Sequence, residues 1–436
     1  MNCAFSSGHI CRFCTATYKD VSEDLLLYRR CQEDYQPRLM TPEYYDELAD
    51  LAVENGGSSP ETLGIKNHCV FNSLLSFHCI GGMAPCLGHD FYEGVFAYDI
   101  QSILNYIINV EKLMTAETFN SKLNNCQMSI RDRRNRPCIF KTRSAKSKYE
   151  GSSGSLRVLS RVLPFILASC LEKSNTMDIL LKLLQVSEII TAPQLSYNEV
   201  IDILEPTIIE YLDLRVSAVD VLNFSKPRPK HHFLSHYGES YLRYGPLIGV
   251  WAMRMESKHT FMKKVLRSAK NFINPSKTCA SRHQLAQVSH VYIGLFPSRI
   301  VQVPDDTLCV YQVPDTQESF QRRFLTQLDP KSLYPSKVII LGTSYEPGMV
   351  LILKKIDFGL LKVGILKGLN VKSNKVMFAC STFECTQSKY GYYVSTKLLS
   401  DFECVMYTEL WDYHPLHRIG TPQAFIFTLH HFISQR

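Results

Sequence analysis

Residues 156–190, LRVLSRVLPFILASCLEKSNTMDILLKLLQVSEII, decide the fold of most of the chain because their apolar side chains recur at helical spacing. They form two apolar faces, which comprise Leu156, Leu159, Val162, Leu163 and Ile166, and then Leu180, Leu183, Leu184, Ile189 and Ile190. Pro193 ends this run, and Ser196-Tyr197-Asn198-Glu199 predicts a capping box that opens the next helix. The sequence therefore predicts that residues 156–222 are largely helical.

The helical pattern extends to both sides of this stretch. Residues 61–125 carry apolar side chains at helical intervals, as in Val95, Ile100, Ile103 and Ile107. A proline-rich hinge, KPRPK at 226–230, precedes a group of histidines, and a further helix is predicted over roughly residues 246–272.

From about residue 291, short β-type runs separated by turn residues replace the helical pattern. The runs are 300–303, 308–313, 338–341, 350–353, 376–380 and 392–395, and the punctuating glycines are Gly342, Gly348, Gly359, Gly364 and Gly391. We therefore predict an α+β fold with a largely helical N-terminal two-thirds and a small β-rich C-terminal domain. The predicted segments are 1–60, 61–290 and 291–436.

Bulk properties restrict the class of protein. The chain has 436 residues, of which 45% are hydrophobic and 20% charged, values typical of two or three globular domains. Its net charge of +7 permits an anionic partner. The 15 cysteines are spread along the chain, which favours reduced thiols and a metal site over a secreted disulfide framework. We expect no signal peptide, no membrane span and an intracellular, soluble protein.

A CxxC pair, Cys11-Arg12-Phe13-Cys14, provides two thiolates that can chelate one zinc ion. A second pair of ligands is available far away, in His231-His232-Phe233-Leu234-Ser235-His236. His232 and His236 share one face of a helix, and His231 with His236 is the other usable pairing. The alternatives are a redox-active CxxC and unrelated thiols and imidazoles.

Glu256 lies among basic residues, and a carboxylate in such a setting is a candidate metal ligand at a phosphate-binding surface. These residues are Arg254, Lys258, Lys263, Lys264, Arg267 and Lys270. The alternative is a surface pair between Glu256 and His259 on a solvated helix.

Two further clusters have both a functional and a structural interpretation. His89 and Glu93 share a helical face and are candidate metal ligands, whereas a helix cap by Asp90 explains the same residues without a metal. Residues 131–148 hold eight Lys/Arg against one acid, Asp132, which suits phosphate contacts or a solvated loop.

Seven phrases, in a fixed order over roughly residues 5–290, resemble the transposases of animal CACTA and KDZ-type elements. These enzymes are similar in plan to the vertebrate antigen-receptor recombinase. The phrases are FSS at 5–7 leading into CRFC; GIKNHCVFN at 64–72; PCLGHD at 85–90 followed by EGV; GSS at 151–153; PKHHFLSHY at 229–237; YGPL at 244–247; and ESKH at 256–259 running to NF at 271–272 and RHQ at 282–284.

The resemblance implies a ribonuclease H-like fold with a helical insertion, of which the helical part here is a remnant. In such enzymes three carboxylates hold two divalent metals that activate water or a 3′-hydroxyl against a DNA phosphodiester. The resemblance implies a structural zinc on Cys11, Cys14, His236 and either His232 or His231. It also implies a catalytic role for Glu256 and a nuclear, or else cytoplasmic, location. Candidate contacts to DNA phosphates are Arg254, Lys258, Lys263, Lys264 and Arg267.

The chain departs from the family where both catalytic aspartates should lie, before the CxxC pair. Ten residues precede Cys11 and none is acidic; many family members also carry an acid where Cys86 stands. We therefore expect a transposase-derived protein that binds zinc and DNA without cutting DNA. It would take Mg²⁺ or Mn²⁺ only if the aspartates are supplied from elsewhere.

Such a protein would depend on a second copy or another chain to complete its fold, and would otherwise be poorly soluble. The alternatives are an active subunit of a full transposase, with the aspartates on another polypeptide or upstream, and a host-adopted scaffold that uses residues 291–436.

Overall fold

The computed structural model describes residues 8–23, 39–144, 147–293, 301–313 and 318–435. They form two compact units, the first ending at Ala252 and the second spanning Met253–Gln435. The fold is α+β, as predicted, with about 47% helix and 19% strand, and the strands lie in the C-terminal part. The division into three segments made from the sequence stays a prediction.

The described part of the first unit is helical. Its helices are α1 (Tyr18–Glu23), α2 (Pro42–Glu54), α3 (the continuous segments Leu87–Phe96, Ala97–Asn105 and Tyr106–Val110), α4 (Ala116–Asn125), α5 (Ser153–Leu171), α6 (Met177–Ile190), α7 (Tyr197–Glu199, Val200–Leu204 and Glu205–Val221) and α8 (Pro229–Phe233, Leu234–His236 and Tyr237–Tyr244). Single helical turns lie at Val70–Ser73, Cys79–Gly82, Ile130–Arg133 and Leu247–Val250.

Helices α5 and α6 bury the predicted apolar faces, apart from the half-buried Leu184, and α7 begins at the predicted capping box. Helix α5 begins at Ser153, earlier than the sequence pattern indicates. Leu159 and Leu163 of α5 are fully buried, as are Leu180 and Leu183 of α6. The capping box at the start of α7 is confirmed. Ser196 N–H donates to the Glu199 carboxylate at 2.8 Å, and Glu199 N–H donates to Ser196 Oγ at 3.2 Å.

Among the described helices, α5 alone is long and apolar enough to cross a membrane, with a mean hydropathy of 1.4 over its best window. In the first unit, 67% of that window is buried, and the core helix of a globular protein passes the same test. The composition of α5 is therefore weak evidence of a membrane span.

The single helix predicted over residues 246–272 is wrong, because the chain breaks at Trp251. That residue has an extended backbone, with φ −70° and ψ 153°. It ends the turn Leu247–Val250 and separates it from α9 (Met253–Ala269), which opens the second unit. Within the first unit, the indole ring of Trp251 lies 5.9 Å from the Arg157 guanidinium.

The described part of the second unit contains the helices α9, α10 (Pro275–Tyr292) and α11 (Ser319–Leu325) together with antiparallel strands, two of which precede α11. The strands are β1 (Val301–Gln302), β2 (Leu308–Cys309), β3 (Leu333–Tyr334), β4 (Val338–Ile340), β5 (Thr343–Tyr345), β6 (Val350–Asp357), β7 (Leu360–Lys372), β8 (Lys375–Gln387), β9 (Tyr393–Met406), β10 (Asp412–Leu416), β11 (Ile419–Gly420) and β12 (Phe425–Phe427). The main sheet has the order β10-β6-β7-β8-β9-β12-β11, β3 also pairs with β7, and β1, β4 and β5 form a small second sheet.

The long central strand β7 is absent from the sequence prediction. Its side chains reach two apolar clusters, because a bulge between Leu366 and Gly368 changes which face of the strand each residue occupies. Val363 and Ile365 lie in one cluster, and Leu366 and Leu369 lie in the other.

Candidate metal centre

Four side chains from two distant segments converge on one point in the first unit. Cys11, Cys14, His232 and His236 each offer one ligand atom, and these atoms all lie within 4.8 Å of one another. Sγ of Cys11 lies 3.5 Å from Nε2 of His236, Sγ of Cys14 lies 3.3 Å from Nε2 of His232, and the two Nε2 atoms are 3.4 Å apart.

These distances match a tetrahedral metal site. With metal–sulfur and metal–nitrogen bonds of ordinary zinc length, a tetrahedron separates sulfur from nitrogen by about 3.6 Å and the two nitrogens by about 3.3 Å. The observed separations of 3.3 to 3.5 Å agree with both values. The four residues present therefore fit a single four-coordinate ion.

The local backbone places each pair of ligands. The CxxC loop turns back on itself: Tyr18 N–H donates to the carbonyl of Gly8 at 2.7 Å, and Phe13 N–H donates to Sγ of Cys11 at 3.4 Å. In α8, Pro229 opens the helix, and the continuous turns Pro229–Phe233 and Leu234–His236 bring two histidines four residues apart onto one face. The two segments are joined across more than two hundred residues.

Burial indicates a closed site. Cys14, His232 and His236 are buried and Cys11 is half-buried, so that the four ligand atoms are largely withdrawn from solvent. Burial alone raises the pKa of the Cys11 thiol, but its contacts with Cys14, His236 and His232 outweigh burial and hold the pKa well below its usual range. A thiolate at this position suits a cation with four protein ligands, which is the arrangement of structural sites.

His231 faces a different partner. Its Nε2 lies 3.2 Å from both carboxylate oxygens of Asp99, and its Nδ1 accepts from Arg228 N–H at 3.0 Å. Of the two histidines that the spacing left open, His232 therefore lies beside the thiols, and His231 belongs to a separate buried network.

That network is built on Asp99 of α3. Arg215 Nε donates to both oxygens of Asp99, at 2.9 and 3.0 Å, and Tyr211 donates to one of them. Burial alone raises the pKa of Asp99, but the charges of Arg215 and His231 outweigh burial and hold it well below its usual range. The network ties α3, α7 and α8 together immediately beside the ligand His232, and the sequence analysis assigned it no role.

The residue between the two cysteines makes a second link to α3. Arg12 forms an ion pair with Asp90, whose carboxylate also accepts from Cys86 N–H at 3.0 Å. The guanidinium carbon lies 5.2 Å from the ring centroid of Phe233 on α8. Asp90 is buried while the Arg12 side chain is 32% exposed, so the ion pair is partly desolvated; it links the CxxC loop to α3.

A cavity of about 190 Å³ lies within the first unit, and the candidate metal ligand His236 forms part of its wall. Its lining includes Arg12, Met40, His236, Glu239, Arg243 and Tyr244. The cavity has both positive and negative side chains in its wall, so its chemistry favours no single ligand.

The cluster at 89–93 has a structural explanation. The Glu93 carboxylate accepts from Ser153 N–H at 2.9 Å and from its hydroxyl at 2.6 Å, at the first turn of α5. A carboxylate there satisfies an unpaired amide and complements the helix dipole. Nδ1 of His89 lies 3.4 Å from the same carboxylate. Glu93 therefore holds the start of α5, and Asp90 contacts the start of α3.

The basic stretch at 131–148 is partly anchored rather than fully solvated, in the part that the structure describes. Asp132 forms an ion pair with Arg161 of α5 at 2.5 Å. Arg136 donates to the carbonyls of Leu123 and Asn124 at the end of α4, at 3.1 and 2.9 Å. Residues 145–146 and the side chain of Arg131 lie outside the described residues.

Glu256 lies in the second unit, on a hairpin formed by α9 and α10. Phe261 and His283 join the two helices with ring centroids 5.9 Å apart. Glu256 is half-buried and belongs to no described cluster of three or more candidate metal ligands. The exposed residues on α9 include Lys258, Lys263, Lys264 and Arg267, whereas the side chain of Arg254 lies outside the described residues.

The α9–α10 hairpin carries the net charge of the chain. Residues 253–292 hold eight Lys/Arg and one acid, Glu256, a net +7, while the rest of the chain holds 40 Lys/Arg and 40 Asp/Glu. The chain total is 48 against 41, also +7. No described side chain of α10 is buried, so this charge lies on an accessible surface.

No family model, no curated protein and no solved structure matches the chain.

Proposed function

We propose that the chain is a zinc-stabilised DNA-binding protein derived from a CACTA/KDZ-type transposase, and that it binds DNA without cutting it. The observation that carries this proposal is the convergence of Cys11, Cys14, His232 and His236. These are the residues for which the family resemblance implies a zinc-binding role, and they come from phrases more than two hundred residues apart.

Further support comes from additional contacts between the sequence phrases that carry the family resemblance. CRFC contacts PCLGHD through Arg12 and Asp90. Lys230, in PKHHFLSHY, donates to the carbonyl of His89 at 2.7 Å. EGV contacts GSS through Glu93 and Ser153. Phrases that only resemble a family by chance have no reason to meet in space, so these contacts favour a shared scaffold.

The ligand set favours zinc over other metals. Two thiolates and two imidazoles in a tetrahedron suit Zn²⁺, whereas Mg²⁺ and Ca²⁺ prefer oxygen ligands in larger shells. A closed site of this kind stabilises the fold and leaves no open position for catalysis. Glu256 would take part in binding Mg²⁺ or Mn²⁺ only if two further carboxylates were supplied from elsewhere.

The α9–α10 hairpin is the proposed DNA-binding surface. DNA phosphates attract a concentrated positive surface and release counterions when lysines and arginines neutralise them. A net +7 over 40 residues, with the rest of the chain neutral, is such a surface. Binding of this type depends little on base sequence, because phosphate contacts position a protein without reading bases. A nuclear location follows from the same proposal.

A second copy of the chain, or another chain, is proposed to complete the protein. The second unit exposes several large apolar side chains on α10, which an isolated soluble monomer rarely leaves uncovered. They are Leu285, Val288, Val291 and Tyr292.

Salt-dependent DNA binding tests the proposal. Fluorescence anisotropy of a labelled duplex should report binding that weakens as salt rises. Changing Lys263, Lys264 and Arg267 to Gln should reduce the slope of log K against log salt by about 2.7, if each residue contacts one phosphate.

The matched control removes three positive charges from the sheet instead, with Lys354→Gln, Lys375→Gln and Lys397→Gln, all at exposed positions. The control should change the slope little. Equal losses in the two variants would contradict a hairpin-specific surface. Efficient strand cleavage by the full chain with Mn²⁺ would contradict binding without cutting and would favour an active subunit.

A further inference from the structure

A second group of candidate ligands lies in the second unit and contains no cysteine. Asp412, His414 and His431 present ligand atoms that all lie within 4.8 Å of one another. Oδ1 of Asp412 lies 2.9 Å from Nδ1 of His414, and Oδ2 lies 3.4 Å from Nε2 of His431. One carboxylate thus presents an oxygen to each of two imidazoles.

The strand geometry brings the first two residues together. Asp412 and His414 are two residues apart in β10, so their side chains leave the same face of the strand. β10 is held at the edge of the main sheet by pairing with β6, where Asp412 lies opposite Ile352. The DxH spacing in a strand is a signal that the sequence itself contains.

The chain after β12 brings the third residue to the same place. Leu429 and Ile433 pack into the apolar cluster that also contains Leu416 of β10. Lys355 Nζ donates to the carbonyl of Ile433 at 2.7 Å, and Trp411 Nε1 donates to the carbonyl of Ser434 at 3.1 Å. His431 is therefore fixed from both sides before any ligand binds.

Two of the three side chains are buried and one is exposed to solvent. This arrangement suits a metal ion that keeps some coordination positions open to water. Asp412 and His431 are buried, while the side chain of His414 is 47% exposed. Oδ2 of Asp412 is buried and has the imidazole of His431 beside it at 3.4 Å, with no better-aligned donor among the described residues. A cation bound between the two side chains would satisfy this buried oxygen more fully.

We propose that Asp412, His414 and His431 form a second metal site, which takes a divalent first-row transition metal and leaves positions open to water or an anionic ligand. Two imidazoles and one carboxylate are the ligand set of catalytic zinc and non-haem iron(II) sites. The site is independent of the Cys2His2 centre.

Titration of the full chain with Co²⁺ tests the proposal, because Co²⁺ distinguishes the two sites. The first equivalent should give the near-ultraviolet charge-transfer band of cobalt bound to thiolate. A second equivalent should bind without adding to that band. The double variant Cys11→Ser, Cys14→Ser should remove the band and leave one equivalent, and His414→Ala should keep the band and lose the second equivalent.

A second readout comes from tryptophan fluorescence. The two tryptophans are Trp251 and Trp411, and Trp411 is next to Asp412. In a Trp251→Phe background, the second equivalent of Co²⁺ should quench Trp411, and His414→Ala should abolish that quenching. His414 is half exposed, so its removal should leave the far-ultraviolet circular dichroism unchanged.

His417→Ala is the matched control, since His417 is an exposed histidine three residues further along the chain. It should bind both equivalents. If the wild type binds one equivalent only, the cluster is a hydrogen-bonded His-Asp-His group without a metal, and the proposal is overturned. Retention of the second equivalent by His414→Ala would overturn it as well.

Discussion

At the scale of single residues, Asp99 separates the roles of two neighbouring histidines. His231 and His232 are adjacent in sequence, and either one could join His236 as the second histidine ligand beside the CxxC pair. In the structure His231 contacts the buried carboxylate of Asp99, and His232 lies 3.3 Å from Cys14 through its Nε2. Asp99 lies more than a hundred residues upstream, so spacing within the histidine group carries no information about which histidine it engages.

Replacing Asp99 with Asn should destabilise the first unit by about 3–5 kcal/mol, because it leaves the buried Arg215 without its counter-charge. Urea unfolding followed by circular dichroism measures this change. Asp220→Asn, at an exposed position on α7, the helix that carries Arg215, should change stability by about 0.5 kcal/mol or less. Equal effects of the two substitutions would show that the buried network contributes nothing of its own.

The same residue predicts a direction for pH dependence. The pKa of Asp99 is depressed in the folded protein, chiefly by Arg215 and His231 acting against burial. Its stabilising contribution is therefore complete above the unfolded value of about 3.9 and is lost as pH falls below it. The wild type should lose stability in acid more steeply than Asp99→Asn does, and parallel pH profiles would contradict this account.

At the scale of secondary structure, two kinds of glycine explain why the β-rich part was only partly predicted. Gly342, Gly348, Gly359 and Gly391 have positive φ and lie at turns, as the sequence indicates. Gly364 and Gly368 lie inside β7, where a Cβ on Gly368 would come within 2.8 Å of the Phe324 ring. A glycine required by close packing looks the same in sequence as a glycine required by a turn, and β7 was missed for that reason.

Gly368→Ala should destabilise the second unit by about 1–3 kcal/mol, since the ring of Phe324 is fully buried and cannot yield easily. Thermal unfolding followed by Trp411 fluorescence measures the change. A neutral Gly368→Ala would contradict the proposed packing role.

Amphipathic helices were predicted better than strands because their pattern is local. The buried faces of α5 and α6 and the capping box at Ser196 all follow from spacings of three or four residues. The break at Trp251 was missed, since the apolar and basic residues on either side continue a helical pattern across it. For the candidate metal centre, the sequence predicted two cysteines and two histidines as ligands. Only the tertiary structure shows that His232, and not His231, lies beside the cysteines.

At the scale of the whole molecule, the proposed functions separate between the two units. The Cys2His2 centre lies in the first unit, while the basic hairpin and the Asp412 cluster lie in the second. Each unit also contains one tryptophan, Trp251 in the first and Trp411 in the second. The single-tryptophan variants Trp411→Phe and Trp251→Phe therefore report on one unit each.

Cys14→Ser should lower the melting temperature reported by Trp251 and leave the one reported by Trp411 unchanged. A loss of about 4 kcal/mol corresponds to roughly 8–16 °C in a unit of this size. Cys138→Ser is the control, because Cys138 is exposed and remote from the cluster in sequence. Equal shifts at both tryptophans, or none at Trp251, would contradict a metal centre that stabilises the first unit.

The most direct test of the central claim is zinc X-ray absorption on the full chain loaded with one equivalent of Zn²⁺. We predict a first shell of two sulfurs at about 2.3 Å and two nitrogens at about 2.0 Å, with one sulfur lost in Cys14→Ser. A shell of nitrogen and oxygen alone, or a chain that retains no zinc, would contradict the assignment of Cys11, Cys14, His232 and His236 as a structural zinc site.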